Sequence, residues 1–339
     1  MAAAFDVAGI GNALVDVVTH VDDGFLAEQQ LAKGTMKLVE SGTADFLYGK
    51  LPPGIEMSGG SCANTMAAIS SLGGKGAYIG KVKDDYFGQV FRHDMSSIGV
   101  QFSNEPAQDG PPTGRCLVLV SPDAQRTMCT DLGAASTLGL SDLNPGVIQS
   151  SRVTYLEGYL FDRPEAQRAF VRAAEYAHDS GHKVSISLSD PFCVARHRNA
   201  FRELVAAHID ILFANEEEIM SLYEATVFDD AIQMLHSYGH VDIACLTRSA
   251  KGSVIIHGDE VHVIDAEPVR KVVDTTGAGD AYAAGFLYGY TQGLGLGLCG
   301  RIAAIAAAEV ISHNGARPEH DLAELVKQKL GPLPIKRKA

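Results

Sequence analysis

The segment Asp274-Thr275-Thr276-Gly277-Ala278-Gly279-Asp280 carries the clearest chemistry in the chain. It stands between a strand-like run, Val269–Val273, and an Ala- and aromatic-rich run that reads as a helix. Gly277 and Gly279 let the backbone turn sharply and come close to a ligand. The free N–H groups of the first helical turn then point at one spot. With the positive end of the helix dipole they make that spot an anion site. An ionised carboxylate at Asp280, in the same turn, can take a proton from a hydroxyl that attacks phosphorus, while the N–H cluster holds the charge on the moving phosphoryl group. The plainer alternative is a glycine turn in which Asp280 only complements the helix dipole.

Other candidates are weaker alone. Gly59-Gly60-Ser61-Cys62-Ala63-Asn64 opens a second helix. A Gly pair there lets a sugar-like ligand lie on bare backbone, and Asn64 offers donor and acceptor to hydroxyls. The same residues also make an ordinary loop and N-cap. Asn215-Glu216-Glu217-Glu218 follows the strand-like IDILFA. It reads as an N-cap with an acidic first turn, or as Asn215 and Glu218 near a magnesium–phosphate water shell. Asp16 in GNALVD can grip vicinal hydroxyls or serve as a turn acid, and Arg126 can reach a phosphate or stay a solvated edge charge.

Several chemistries are excluded. Gly9-Ile10-Gly11 has Leu14 where a dinucleotide fingerprint needs its third Gly. The Gly-Lys pairs at 49–50, 74–75 and 80–81 lack the flanking residues of a Walker A loop. The six cysteines form no C-x-x-C pair and read as reduced thiols. His178/His182 and His236/His240 enclose Gly181 and Gly239, so they read as helix ends rather than metal ligands. A formal net charge of −13 argues against a broad nucleic-acid surface. The first Lys or Arg is Lys33, so no secretory signal is expected. The uncharged stretch 281–300 is too rich in glycine for a lipid-facing helix and reads as buried helix plus turn.

The elements that must position these residues alternate strand and helix. Strands are expected at Phe5–Gly11, Ala77–Val82, Val153–Glu157, Val184–Leu188 and Ile209–Phe213, with helices at Ser61–Leu72, Tyr86–Ile98 and Glu165–His178. Such alternation predicts parallel strands with crossover helices on both faces. Residues 13–40 and 100–131 break the rhythm with strand pieces and no intervening helix, among them Cys116–Ser121 and Gln125–Thr130 around Pro122-Asp123. They predict a small β lid over a larger α/β unit made of 1–12, 41–99 and 132–339. Residues 332–339 read as a basic, frayed tail.

GIGNALVD, the Gly59-Gly60 helix start, the NEEE run and DTTGAGD together resemble the ribokinase-type (phosphofructokinase B type) carbohydrate kinases over nearly the whole chain. Within that family the chain is most similar to the adenosine kinases, on GNALVD, GTMKLVE, PPTGRCLVLV and SLSDPFCVARHRNAFRELVAAHIDILFANEEEI. The resemblance implies a ribokinase-like sandwich with a β-sheet lid and ATP-dependent phosphorylation of a nucleoside 5′-hydroxyl. It makes Asp280 the catalytic base and Gly277, Ala278 and Gly279 the anion hole. It assigns substrate binding to Asn12, Asp16, Gly59, Gly60, Asn64 and Arg126, and nucleotide binding to Asn215, Thr247 and Gly252. It places Mg²⁺ near Glu218 through water, and a monovalent cation such as K⁺ near Asp274 and Thr276. Met36, Tyr159 and Leu160 line a purine slot or pack the lid hinge. Thr276 stands where many adenosine kinases carry Asn, a choice common in sugar kinases, so ribose or fructose is the second reading of the acceptor. A non-enzymatic nucleoside sensor is the third. A cytoplasmic monomer or homodimer without nucleic-acid or membrane partners is expected.

Overall fold

The computed structural model describes residues 3–238 and 241–335. Gly239 and His240 of the second histidine pair, and 336–339 of the basic tail, lie outside the described residues. The apolar runs form strands buried on both faces, as expected when helices cover a parallel sheet. In chain order the strands are β1 (Phe5–Ile10), β2 (Leu14–His20), β3 (Met36–Leu38), β4 (Ile55–Gly59), β5 (Gly76–Ile79), β6 (Gln101–Phe102), β7 (Thr113–Val120), β8 (Arg126–Gly133), β9 (Ser151–Glu157), β10 (Lys183–Ser187), β11 (Ile211–Asn215), β12 (Ile243–Thr247), β13 (Ser253–His257) and β14 (Glu260–Ile264).

Among the described residues they lie in two sheets. The larger has the order β14-β13-β12-β11-β10-β9-β1-β5-β6. It is parallel from β12 to β6, but β13 and β14 are antiparallel, so the sheet is mixed rather than wholly parallel. The cause is local: the short turn Ser249–Lys251 and Gly252 (φ +80°) send β13 back along β12, and Gly258 (φ +56°) closes the β13–β14 hairpin, where crossover helices are otherwise needed. The smaller sheet has the order β3-β8-β7-β2-β4. Its β7–β8 hairpin is antiparallel around Pro122-Asp123, while β2–β7 and β3–β8 pair in parallel.

Three local expectations are corrected. Ile55–Gly59 belongs to the smaller sheet, paired antiparallel with Leu14–Val18, and not to the larger unit. Gly60, at φ +93°, turns the chain from that strand straight into the helix Ser61–Ser71. A short helix, Asp23–Glu28, interrupts residues 13–40, capped by the Asp22 carboxylate on the Phe25 N–H. Val269–Val273 forms no strand; the Val273 N–H instead donates to Ile311 O at 2.8 Å.

Two apolar cores flank the larger sheet. One holds Met66, Phe91, Phe286 and Ile302 beneath the helices Ser61–Ser71, Ala278–Thr291 and Leu296–Val310. The other holds Phe170, Phe201, Leu212 and Leu222 on the opposite face. Each such side chain contributes about 1.5–3 kcal/mol when fully buried. The stretch 281–300 forms most of one buried helix, a turn at Gly293 (φ +74°) and the start of the next. Those two helices touch closely: a Cβ on Gly285 would lie 2.6 Å from Ala303 Cα, and one on Gly289 would lie 3.0 Å from Cys299 Sγ. Among the described residues no helix is long and apolar enough to cross a membrane, and all six cysteines are buried and unpaired.

Candidate active site

Parallel strands deliver their carboxyl ends to one edge, and ligand clefts form there. The residues at or just past the ends of β1, β9, β10, β11 and β12 line a single cleft of about 1640 Å³, through Asn12, Glu157, Ser187, Asn215 and Thr247. The smaller sheet supplies an apolar wall that includes Leu14, Val18, Val118 and Met128. The opening of the helix Ala278–Thr291 lies in the same cleft.

That opening is left uncapped. Gly277 stands at φ +79° and no side chain caps the helix. Gly277 has to be glycine twice over, because a Cβ would also lie 2.5 Å from Ala316 O. The Ala278 N–H is taken by Thr275 O at 3.2 Å. Among the described residues the N–H groups of Gly279 and Asp280 have no acceptor, and nothing lies within 4 Å of where a Gly279 Cβ would be. Of the expected anion-hole residues Gly277, Ala278 and Gly279, Ala278 is therefore corrected, its N–H being closed by the chain, while the Gly279 N–H stays free and the Asp280 N–H, which was not expected, joins it.

Asp280 ties this loop to the second glycine-opened helix. Its Oδ1 accepts from Ser61 Oγ at 2.6 Å and its Oδ2 from Asn64 Nδ2 at 3.3 Å. Burial pushes the Asp280 carboxyl up to about 6, against these two donors, which hold it down. Asp16 lies against Gly59, where a Cβ would fall 2.3 Å from its carboxyl carbon. Burial raises Asp16 to about 6 as well; Arg317 and Arg126 oppose the shift and Asp280 adds to it. A carboxylate with its pKa just below neutrality is suited to accept a proton in one step and release it in the next.

Residues 56–321 match the pfkB family carbohydrate kinases. The chain belongs to this family. It is 44% identical to the adenosine kinase of Sinorhizobium meliloti, with a TM-score of 0.88 over 96% of this chain and 100% of that one. It is 43% identical to a probable sugar kinase from Rhizobium etli CFN 42, also at TM-score 0.88, over 96% and 99% of the two chains. The adenosine kinase of Saccharomyces cerevisiae is 27% identical over 312 residues, 84% of this chain and 88% of that protein. The pfkB-family chain is a phosphotransferase, and the family implies ATP as the donor.

The remaining expected residues fall in three groups. Asp16, Gly60, Asn64 and Asp280 meet around one end of the kinase cleft. Gly60 is obligatory there, since a Cβ would fall 2.3 Å from Asn12 O. Asn12 lines the cleft but commits its amide, Nδ2 to Glu157 Oε1 at 2.6 Å. Asn215, Glu218, Thr247 and Gly252 line the cleft further along the sheet. Asn215 and Glu218 form a reciprocal capping box, so the cap reading holds: Asn215 Oδ1 accepts the Glu218 N–H at 2.8 Å and Glu218 Oε2 accepts the Asn215 N–H at 3.0 Å. Gly252 (φ +80°) is explained by packing, since a Cβ would meet Ile264 O at 2.0 Å.

Arg126 and Asp274 depart from expectation. Arg126 Nη1 pairs with Asp274 Oδ2 at 2.8 Å, both side chains about a tenth exposed, instead of standing free for a phosphate. Asp274 Oδ1 accepts the Thr276 N–H and Oγ1, and Oδ2 also accepts the Gly315 N–H at 3.0 Å. Asp274 and Thr276 thus brace the loop, and a K⁺ ion there would face a guanidinium; the pair does not fit a monovalent-cation site. Magnesium fits better. Among the described residues no group of three or more His, Cys, Asp or Glu is placed to hold a metal, yet Mg²⁺ commonly takes one or two carboxylates, waters and the substrate phosphates. Burial, with Asp190 and Glu217 nearby, pushes Glu218 up to about 7, so a cation in front of it would be welcome.

Sequence reasoning missed Ser61, Glu157 and Arg317 as site residues. Ser61 stands inside a quoted motif and was legible as the first helical residue. Glu157 is buried and receives the Cys62 N–H at 2.8 Å as well as Asn12. Burial pushes it up to about 7. Neither Glu157 nor Arg317 has a spacing signal.

Proposed function

We propose that this kinase transfers the γ-phosphoryl group of MgATP to the 5′-hydroxyl of a nucleoside, adenosine first, forming AMP and ADP. One observation carries the reading. The Asp280 carboxylate lies in the same helical turn as open N–H groups, and it faces the substrate end of a cleft with an apolar wall. Asp280 takes the hydroxyl proton as the oxygen attacks phosphorus. The Gly279 and Asp280 N–H groups hold the growing charge on the phosphoryl oxygens. Asp16, backed by the buried Gly59, and the bare backbone at Gly60 orient the sugar hydroxyls, and the apolar wall with Met36 and Tyr159 receives the base. Mg²⁺, held through water near Glu218, neutralises the phosphates when bound. This activity belongs to purine salvage in the cytoplasm.

The 44% identity to a named adenosine kinase supports adenosine. The 43% identity to a probable sugar kinase keeps a free sugar as the second reading. ADP release with adenosine, inosine, guanosine, ribose and fructose as acceptors decides between them. The expected result is a kcat/KM for adenosine at least about 100-fold above ribose, since binding a base adds several kcal/mol of contact. A higher value for ribose or fructose overturns the nucleoside assignment.

A further inference from the structure

After the helix Leu296–Val310, the chain returns along the cleft, and three consecutive residues of this strap touch the site. The Gly315 N–H donates to Asp274 Oδ2 at 3.0 Å. Ala316 packs against Gly277. Arg317 reaches across to the other glycine-opened helix. Its Nε donates to Asn64 Oδ1 at 3.3 Å, Nη1 to Asp94 Oδ2 at 2.9 Å and Nη2 to Ser58 Oγ at 2.6 Å. The Arg317 side chain is only 16% exposed. Ser58 lies on β4 of the smaller sheet, and its N–H and hydroxyl both donate to Asp94. Glu309 secures the strap from behind by accepting the N–H groups of Glu319 and His320.

An asparagine amide has a donor end and an acceptor end of nearly the same shape. Presented to Asp280 the wrong way round, Asn64 would set a carbonyl oxygen against a carboxylate. Arg317 is a pure donor, so the end of Asn64 that it binds must be the oxygen. The NH₂ end is then the one left facing Asp280, where it is found at 3.3 Å.

We propose that Arg317 is a positioning residue for phosphoryl transfer: it fixes the Asn64 amide so that it donates to Asp280, and it fastens β4 of the smaller sheet to the substrate end of the cleft. The proposal rests on Asp280 acting as the base. Its electrostatic consequence involves every charged group around that end. Asp16 from β2, Glu157 from β9 and Asp94 from the helix Tyr86–Ser97 add negative charge, with Cys62, Tyr155 and Tyr159 as neutral neighbours. Arg317 and Arg126 are the opposing cations. Removing Arg317 withdraws a cation from Asp16 and frees Asn64 to turn away from Asp280, so both carboxylates take up protons more readily.

The test is the pH dependence of kcat/KM for adenosine with MgATP, measured on the full chain as wild type, Arg317→Met, Arg317→Lys and Asp280→Asn. Arg317→Met is expected to lower kcat about tenfold, the scale of one lost hydrogen bond to a charged group, and to move the acid limb up by about half a pH unit or more. Lysine keeps the pair with Asp94 but cannot span three acceptors. Arg317→Lys is therefore expected to keep the wild-type Tm and still turn over slowly. Should Arg317→Met fold poorly, Arg317→Met with Asp94→Asn removes the unpaired carboxylate and carries the same expectation. An acid limb and kcat within about twofold of wild type in the folded variant would overturn the proposal, as would a fall in Tm with an unmoved limb. Turnover by Asp280→Asn would sink the base assignment itself, whereas an inactive Asp280→Asn beside an unaltered Arg317→Met sinks only the role of Arg317.

Discussion

Two helices open into the same cleft, and they treat their N-termini in opposite ways. The helix Glu216–Tyr223 closes its own start: Asn215 and Glu218 satisfy each other's N–H groups, and three acids occupy the first turn. The helix Ala278–Thr291 starts on a left-handed glycine with no side-chain cap, and among the described residues two of its amides remain without acceptors. One terminus is finished as structure, and the other keeps its donors free, as an anion site requires. The chain gives up a cap, worth about 1 kcal/mol, where it needs donors for chemistry. This stability–function exchange is the general expectation for sites of this kind.

The contrast can be broken experimentally, most forcefully at Asp280. Asp280→Asn should lower kcat by about 10²–10⁴-fold with the KM for ATP nearly unchanged, because a general base acts only in the transition state. Steady-state kinetics with saturating MgATP reads this, and near-normal turnover would leave the open helix without its proposed purpose. Next in size is Gly277→Ala. It forces a Cβ to within 2.5 Å of Ala316 O at φ +79°, so chemical denaturation should show a loss of about 2 kcal/mol or more. At the closed terminus, Asn215→Ala should remove about 1 kcal/mol of stability by the same measurement. If it instead damaged kcat as severely as Asp280→Asn, the two termini would not differ in kind.

A further effect concerns pH. Burial raises the Asp280 carboxyl from 3.8 to about 6, so the folded protein binds that proton more tightly than the unfolded chain does. Stability from this group is present below about pH 4 and lost as pH rises through about 6. Asp280→Asn should therefore melt a few degrees above wild type at pH 7.5, and the gap should close as the pH falls toward 4. A constant gap across that range would show that the carboxylate is not strained in the fold.

Most of the fold was legible because its signals are local. The strands ending at Ile10, Glu157 and Asn215 are short apolar runs, and the helix at Ser61 stops at the Gly73-Gly74 signal. Val269–Val273 misled because β-branched residues suit strands, but the segment has no strand to pair with. Ile55–Gly59 was misplaced because its partner, Leu14–Val18, lies some forty residues earlier, and pairing over that distance leaves no trace in composition. The loop 274–280 was readable because its donors and its carboxylate are contiguous. Arg317 was not, because it acts on Asn64 from 253 positions away and a lone arginine in a loop looks like any other surface charge.

The backbone-to-backbone contact of Gly285 with Ala303 has a mechanical corollary. Helices pressed together with no side chain between them leave no room there for even one added methyl group. The helix bearing Asp280 is therefore seated directly on the backbone of its neighbour, and any side chain added at Gly285 would push the two apart.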